Sequence, residues 1–169
     1  MKWIGITGSS QNVDERVERD VRAAVRDIFE RGDGIVAGGA VGVDYIATDE
    51  MMRLDPTGAR VRVIIPNSFE GYLSHFKNNW IEYAGSQERA KQLIEQLTSI
   101  AKVNAGSVVA MGLSEKQDAA VFLSLRNAEV VRVADEVLAF QVNKSSGTQD
   151  TIDKARAKGI PVRVNSYHL

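Results

Sequence analysis

The chain contains no cysteine, which excludes disulfides, thiolate metal sites and cysteine nucleophiles. Its two histidines, His75 and His168, are too few and too scattered to suggest a histidine metal site. No excess of either charge is present: 21 basic residues face 22 acidic ones, for a net charge of −1. A domain devoted to nucleic acid usually carries a basic surplus, so this balance weighs against DNA as the main ligand. No apolar run reaches a membrane-spanning length, and residue 3 already lies in an apolar strand pattern with no basic leader before it. A cytoplasmic protein without a membrane partner is the expectation. Two nucleotide motifs are also missing. No glycine loop is followed by the lysine–hydroxyl pair of a P-loop, and the GxGxxG fingerprint of dinucleotide enzymes does not occur.

What is present is ordinary in bulk and specific in detail. A length of 169 residues, 44% of them hydrophobic and 25% charged, fits one globular domain over 1–169 with a full core. The pattern predicts alternating strands and helices. Strands are expected at Lys2 to Thr7, Ile35 to Ala37, Ala59 to Ile65, Glu136 to Val142 and Ile160 to Val164. Helices are expected at Val13 to Arg31, Val43 to Leu54, Ser86 to Lys102, Glu115 to Ala134 and Gly147 to Lys158. Val108 to Ala110 reads as a loop or a short strand. The expected fold class is α/β, a Rossmann-like three-layer arrangement with a mostly parallel sheet of five to seven strands. An additional helical segment at about 67–104 carries a cluster of aromatic residues, Phe69, Tyr72, Phe76, Trp80 and Tyr83.

Glycine loops follow three of these strands. Gly38-Gly39-Ala40-Val41-Gly42-Val43-Asp44 follows the second, Ser145-Ser146-Gly147-Thr148 follows Glu136 to Val142, and Gly8-Ser9-Ser10 follows the first. A helix beginning right after a glycine loop presents free N–H groups and a partial positive charge, a cradle suited to phosphate. The bland alternative is a tight turn with Ser146 or Thr148 as a cap. Asp44, in a first helical turn, is either a carboxylate favoured by the helix end or a ligand for a ribose hydroxyl. Arg126 is either a surface arginine or a forked donor to phosphate or carboxylate. Asn127 can read a base edge or cap a carbonyl. Lys144 reads as an exposed lysine beside the last loop. Tyr72, Phe76 and Trp80 read as a core stripe, with base stacking as the alternative.

The order strand, Gly-Ser-Ser, helix, strand, Gly-Gly-Ala-x-Gly-x-Asp, helix is similar to the SLOG superfamily, which includes DprA and the LOG phosphoribohydrolases. The small YspA-like and YpsA-like members look closest. They share the loop Gly38 to Asp44, the pair Arg126-Asn127, the strand entry Ala134-Asp135 and the loop Ser145 to Thr148. The resemblance covers roughly residues 2 to 66 and 120 to 165. It implies a Rossmann-like fold that binds a small phosphate-bearing nucleotide, as sensor or carrier, with no further cofactor. The site would comprise Gly8, Ser9, Ser10, Gly38, Gly39, Ala40, Gly42, Asp44, Arg126, Asn127, Ser145, Ser146, Gly147 and Thr148. Two departures limit the analogy. Thr151 stands where LOG enzymes carry a glutamate, and Val41 stands where DprA relatives carry an arginine. A LOG-like nucleotide N-glycosidase, with Asp44 and Arg126 as catalytic candidates, and a DprA-like DNA-processing accessory are therefore the alternatives. A homodimer or higher homo-oligomer is expected, because the apolar stripe of Ser86 to Lys102 needs a cover.

Overall fold

A computed structural model describes residues 1–114 and 118–169. Six strands form one sheet: β1 (Trp3–Gly8), β2 (Gly34–Ala37), β3 (Val61–Ile65), β4 (Val108–Ala110), β5 (Glu136–Val142) and β6 (Val162–Tyr167). Their order is β4-β3-β2-β1-β5-β6, and every pairing is parallel. A parallel sheet must be covered on both faces, and the central strands are accordingly apolar throughout. Ile4, Ile35, Val36, Ala37 and Ala139 are completely buried.

Seven helices supply the cover: α1 (Glu15–Glu30), α2 (Val43–Leu54), α3 (Phe69–Asn78), α4 (Trp80–Ala84), α5 (Gln87–Val103), α6 (Ala119–Val133) and α7 (Ser146–Lys158). Four of these helices, α1, α3, α5 and α6, start where a short polar side chain caps them. Asp14 accepts from Val17 N at 2.9 Å, Ser86 from Arg89 N at 3.2 Å and Asp118 from Ala120 N at 2.9 Å. Val17, Val21, Val25 and Ile28 then present the apolar stripe of α1 to the sheet. One core lies under α1, α2, α3, α4 and α5, and the other under α6 and α7, against Val36, Ile64 and Val137. None of the described helices is long and apolar enough to cross a membrane.

Several boundaries differ from the sequence pattern. The last strand runs to Tyr167 because its whole length pairs with β5, up to Val142↔Tyr167. Helix α6 begins at Ala119, where Asp118 caps it; the part of the expected helix at 115–117 lies outside the described residues. The helical segment expected at about 67–104 folds as three helices, α3, α4 and α5. The stripe of α5 (Ala90, Leu93, Leu97 and Ile100) is buried within the chain itself. The argument for an oligomer from an uncovered α5 face therefore falls.

The sheet order places a crevice. From β1 the chain builds outward through β2, β3 and β4, then returns to lay β5 on the other side of β1. The loops leaving β1 and β5 diverge at this reversal, where open α/β sheets bind their ligands.

Candidate ligand site at the strand ends

A cavity of about 800 Å3 opens at this crevice. Twelve of the fourteen expected site residues line it: Gly8, Ser9, Ser10, Gly38, Ala40, Asp44, Arg126, Asn127, Ser145, Ser146, Gly147 and Thr148. Gly39 and Gly42 do not. They sit behind the wall, both at positive φ, where a Cβ on Gly39 would stand 2.8 Å from Val63 and one on Gly42 would stand 2.4 Å from the Ser9 carbonyl. These two glycines serve close packing.

The loop between β2 and α2 is closed on itself. Gly38 N and Ala40 N both donate to Asp44 Oδ2, at 3.0 and 3.3 Å. The Gly38 carbonyl accepts from Arg126 Nη1, and the Gly39 carbonyl accepts from the Tyr72 hydroxyl at 3.0 Å. Burial pushes the Asp44 carboxyl above its ordinary range, against the opposing pull of Arg126 and of the two loop amides. Burial likewise pushes the Tyr72 hydroxyl up to about 12. Asp44 Oδ2 thus supplies the acceptor that the loop's own amides bind.

The loop between β5 and α7 is different. Asn143 and Lys144 turn the chain at φ 48° and 54°, with Ser145 N donating to the Val142 carbonyl at 3.0 Å. Helix α7 then starts at Ser146 with no side-chain cap on its first amides. The N–H groups of Ser146, Gly147 and Thr148 have no partner among the described residues, and they face the cavity end of a 13-residue helix. Lys144 is exposed and does not line the cavity. The two diverging loops are pinned to each other by hydroxyls. Ser9 Oγ accepts from Val142 N at 3.1 Å and donates to Ser145 Oγ at 3.2 Å, which donates to Thr148 Oγ1 at 2.7 Å.

Opposite α7 stands an aromatic wall from α3 and α4 that the sequence pattern assigned to the core. Tyr72 and Phe76 are core residues and line the cavity as well. Their rings meet edge-on at 5.2 Å, and Tyr83 and His75 continue the wall with centroids 4.2 Å apart. The 4-residue spacing was visible in the sequence; that the same face borders a cavity was not. Thr151, at the place of the LOG glutamate, also lines the cavity, whereas Asp150 does not. Arg126 is the one lysine or arginine among the described lining residues. No group of three or more His, Asp or Glu among the described residues is placed to hold a metal.

The sequence matches no protein-family model and no curated protein. Solved structures do match. DNA processing protein A from Helicobacter pylori, studied for its single-stranded DNA binding mode, has a TM-score of 0.67 at 18% identity, over 96% of this chain and 64% of that one. DNA processing protein A from Streptococcus pneumoniae has a TM-score of 0.68 at 15% identity, over 96% of this chain and 50% of that one. A molybdenum cofactor binding protein from Rippkaea orientalis has a TM-score of 0.59 at 18% identity, over 98% and 76%. The chain therefore spans less than two thirds of the DNA-processing proteins it resembles. What it shares with all three is the Rossmann-like α/β fold that the SLOG resemblance implied.

Proposed function

We propose that the chain binds a small phosphate-bearing nucleotide in this cavity, as a sensor or carrier. The observation that carries the reading is the open N-terminus of α7 sharing one cavity with an aromatic wall. Free helix amides favour a phosphate, and flat aromatic faces favour a base. The volume of about 800 Å3 falls in the range of roughly 300–1,000 Å3 typical of small-molecule sites. A DNA backbone is a poorer fit, since Arg126 is the lone described cation on the lining and backbone binding rests on many lysine and arginine contacts. Hydrolysis is also a poorer fit. At the place of the LOG glutamate α7 presents Thr151 to the cavity, and the Asp44 carboxyl group is already held by its loop.

A thermal-shift screen of AMP, GMP, ADP, cyclic nucleotides and ADP-ribose tests this. Ligand at about 100 times its dissociation constant adds roughly 2.7 kcal/mol, which for a chain of this size raises Tm by about 5–10 °C. Gly147→Val should remove the shift while leaving the fold intact, because a Cβ at Gly147 meets nothing within 4 Å. AMP and GMP should be recovered without release of free base. No shift with any ligand would sink the reading, and base release abolished by Asp44→Asn would replace it with the hydrolase.

A further inference from the structure

A chain of polar side chains runs from α7 through α6 to the glycine loop. Lys154 donates to the Asp150 carboxylate and, at 2.8 Å, to Ser124 Oγ. Asp150 Oδ2 accepts from Asn127 Nδ2 at 2.9 Å. Asn127 Oδ1 accepts from Arg126 Nε at 3.0 Å. Arg126 Nη1 reaches the Gly38 carbonyl and lies 4.0 Å from Asp44 Oδ2. Arg126 and Asn127 are each only 8% exposed.

Chemistry allows this chain one direction only. A carboxylate can only accept and a guanidinium can only donate, while a carboxamide has one end of each kind. Asp150 therefore claims the amino end of Asn127 and leaves its carbonyl for Arg126. With the amide reversed, Asn127 would set its carbonyl oxygen against the Asp150 carboxylate, acceptor against acceptor, and its N–H against Arg126 Nε, donor against donor.

We propose that Asp150 is a positioning residue that acts through Asn127 to orient the Arg126 guanidinium at the cavity, for an oxygen of the bound ligand. The part about the ligand rests on the nucleotide reading; the orientation of Arg126 does not. A simpler role for Asp150 would be a carboxylate in an early turn of α7, paired with Lys154 four residues on. That role does not depend on which end of the Asn127 amide faces α6.

Reversing the pair separates the two roles. In Asp150→Asn, Lys154 claims the carbonyl of the new amide, whose amino end then forces Asn127 over. In Asn127→Asp, two carboxylates face each other. In the double variant N127D/D150N the order is restored: the carboxylate at position 127 accepts from Arg126 and from the amide at position 150. The readout is solvent exchange of the Arg126 Nε–H, followed by nitrogen-15 NMR in the ligand-free protein and assigned by its absence in Arg126→Lys. Asp150→Asn should exchange at least roughly tenfold faster than wild type, the scale of losing a hydrogen bond to a charged group; Asn127→Asp, which keeps an acceptor oxygen for Arg126, should exchange more slowly than Asp150→Asn, and the double variant should return to the wild-type rate. AMP and GMP affinity should follow the same pattern. Unchanged exchange in Asp150→Asn, or no recovery in the double, overturns the proposal. If a single variant fails to fold, slow exchange in a folded double variant supports it and fast exchange overturns it. If exchange follows the pattern while neither nucleotide binds wild-type protein, the nucleotide reading fails and the orientation of Arg126 by Asp150 stands. If nucleotides bind but their affinity ignores all three variants, the ligand-facing part is overturned.

Discussion

The loop after β2 and the loop after β5 look alike in sequence and are built in opposite ways. The first places glycine at its two left-handed positions, Gly39 and Gly42, and gives every bonded amide and carbonyl a partner from the protein: Asp44, Arg126 and Tyr72. The second places Asn143 and Lys144 at left-handed positions and leaves the first amides of α7 without partners. Glycine at the first loop permits close packing; Gly147 in the second has open space around it. A loop closed on itself thus holds one wall while a helix end with no side-chain cap forms another. Strain in non-glycine residues and unused donors collect at the second loop, which is where a binding site tolerates them.

The largest expected difference between the loops is in their tolerance of a methyl group. In Gly42→Ala the Cβ would stand 2.4 and 2.5 Å from the Ser9 and Ser10 carbonyls, at φ +78°. Left-handed strain and a backbone clash together cost roughly 3 kcal/mol or more, so Tm should fall by about 10 °C. Gly147→Ala meets no atom within 4 Å and has no positive φ, so its stability should stay within about 0.5 kcal/mol of wild type. Paired thermal melts check both. Equal losses in the two variants would erase the distinction.

That contrast was only half legible in the sequence. The strand–glycine–helix order announced both loops, and the parallel sheet brought them to one edge, because periodicity and glycine punctuation are local signals. Which glycines line the cavity was not legible. Gly39 and Gly42 were assigned to the site, yet their neighbours are Val63 and the Ser9–Ser10 backbone, contacts made across the sheet. Gly39→Val is for that reason a core mutation and no test of binding. Arg126 could be read either as a surface residue or as a forked donor, since an arginine on an apolar helix says nothing about the carbonyl 88 residues away that buries it. The left-handed pair Asn143-Lys144 carried no glycine to mark it. The aromatic stripe announced a core; its second use as a cavity wall depends on where α3 and α4 dock.

A second test addresses the carboxyl group inside the first loop. Burial raises the folded-state pKa of Asp44 above the ordinary value of 3.8, so the folded chain holds this proton more tightly than the unfolded chain. Stability from this group is full below that ordinary value and is lost as pH rises through the folded value. Asp44→Asn keeps a carbonyl for Gly38 N and Ala40 N and cannot ionise. The Tm of wild type minus that of Asp44→Asn should therefore increase on acidification from about pH 8 to about pH 4. Taking the difference cancels the opposite trend of Glu50, whose carboxyl is held below its usual range by Arg26 and Arg22 despite its burial. A flat difference would mean that the first loop does not enclose a strained carboxylate.

The smallest effect concerns strain in the second loop. Lys144 sits at φ 54°, a region where an L-residue other than glycine, asparagine or aspartate is disfavoured. Its side chain is exposed and lies off the cavity lining, so the charge has no short-range partner to lose. Lys144→Gly removes the Cβ clash, worth about 1–2 kcal/mol, and gives back part of it through the greater freedom of glycine in the unfolded chain. A net gain of up to about 1 kcal/mol should raise Tm by roughly 2–4 °C. Asn143 needs no such relief, because its side chain is fixed to the chain end, accepting from Leu169 N at 3.0 Å and donating to the Leu169 carbonyl at 3.2 Å. If Lys144 serves only the turn, nucleotide affinity in Lys144→Gly stays at the wild-type level. A stabilised variant with unchanged affinity places the anion on the α7 amides, whereas a stabilised variant that binds more weakly makes Lys144 part of the second loop's cradle.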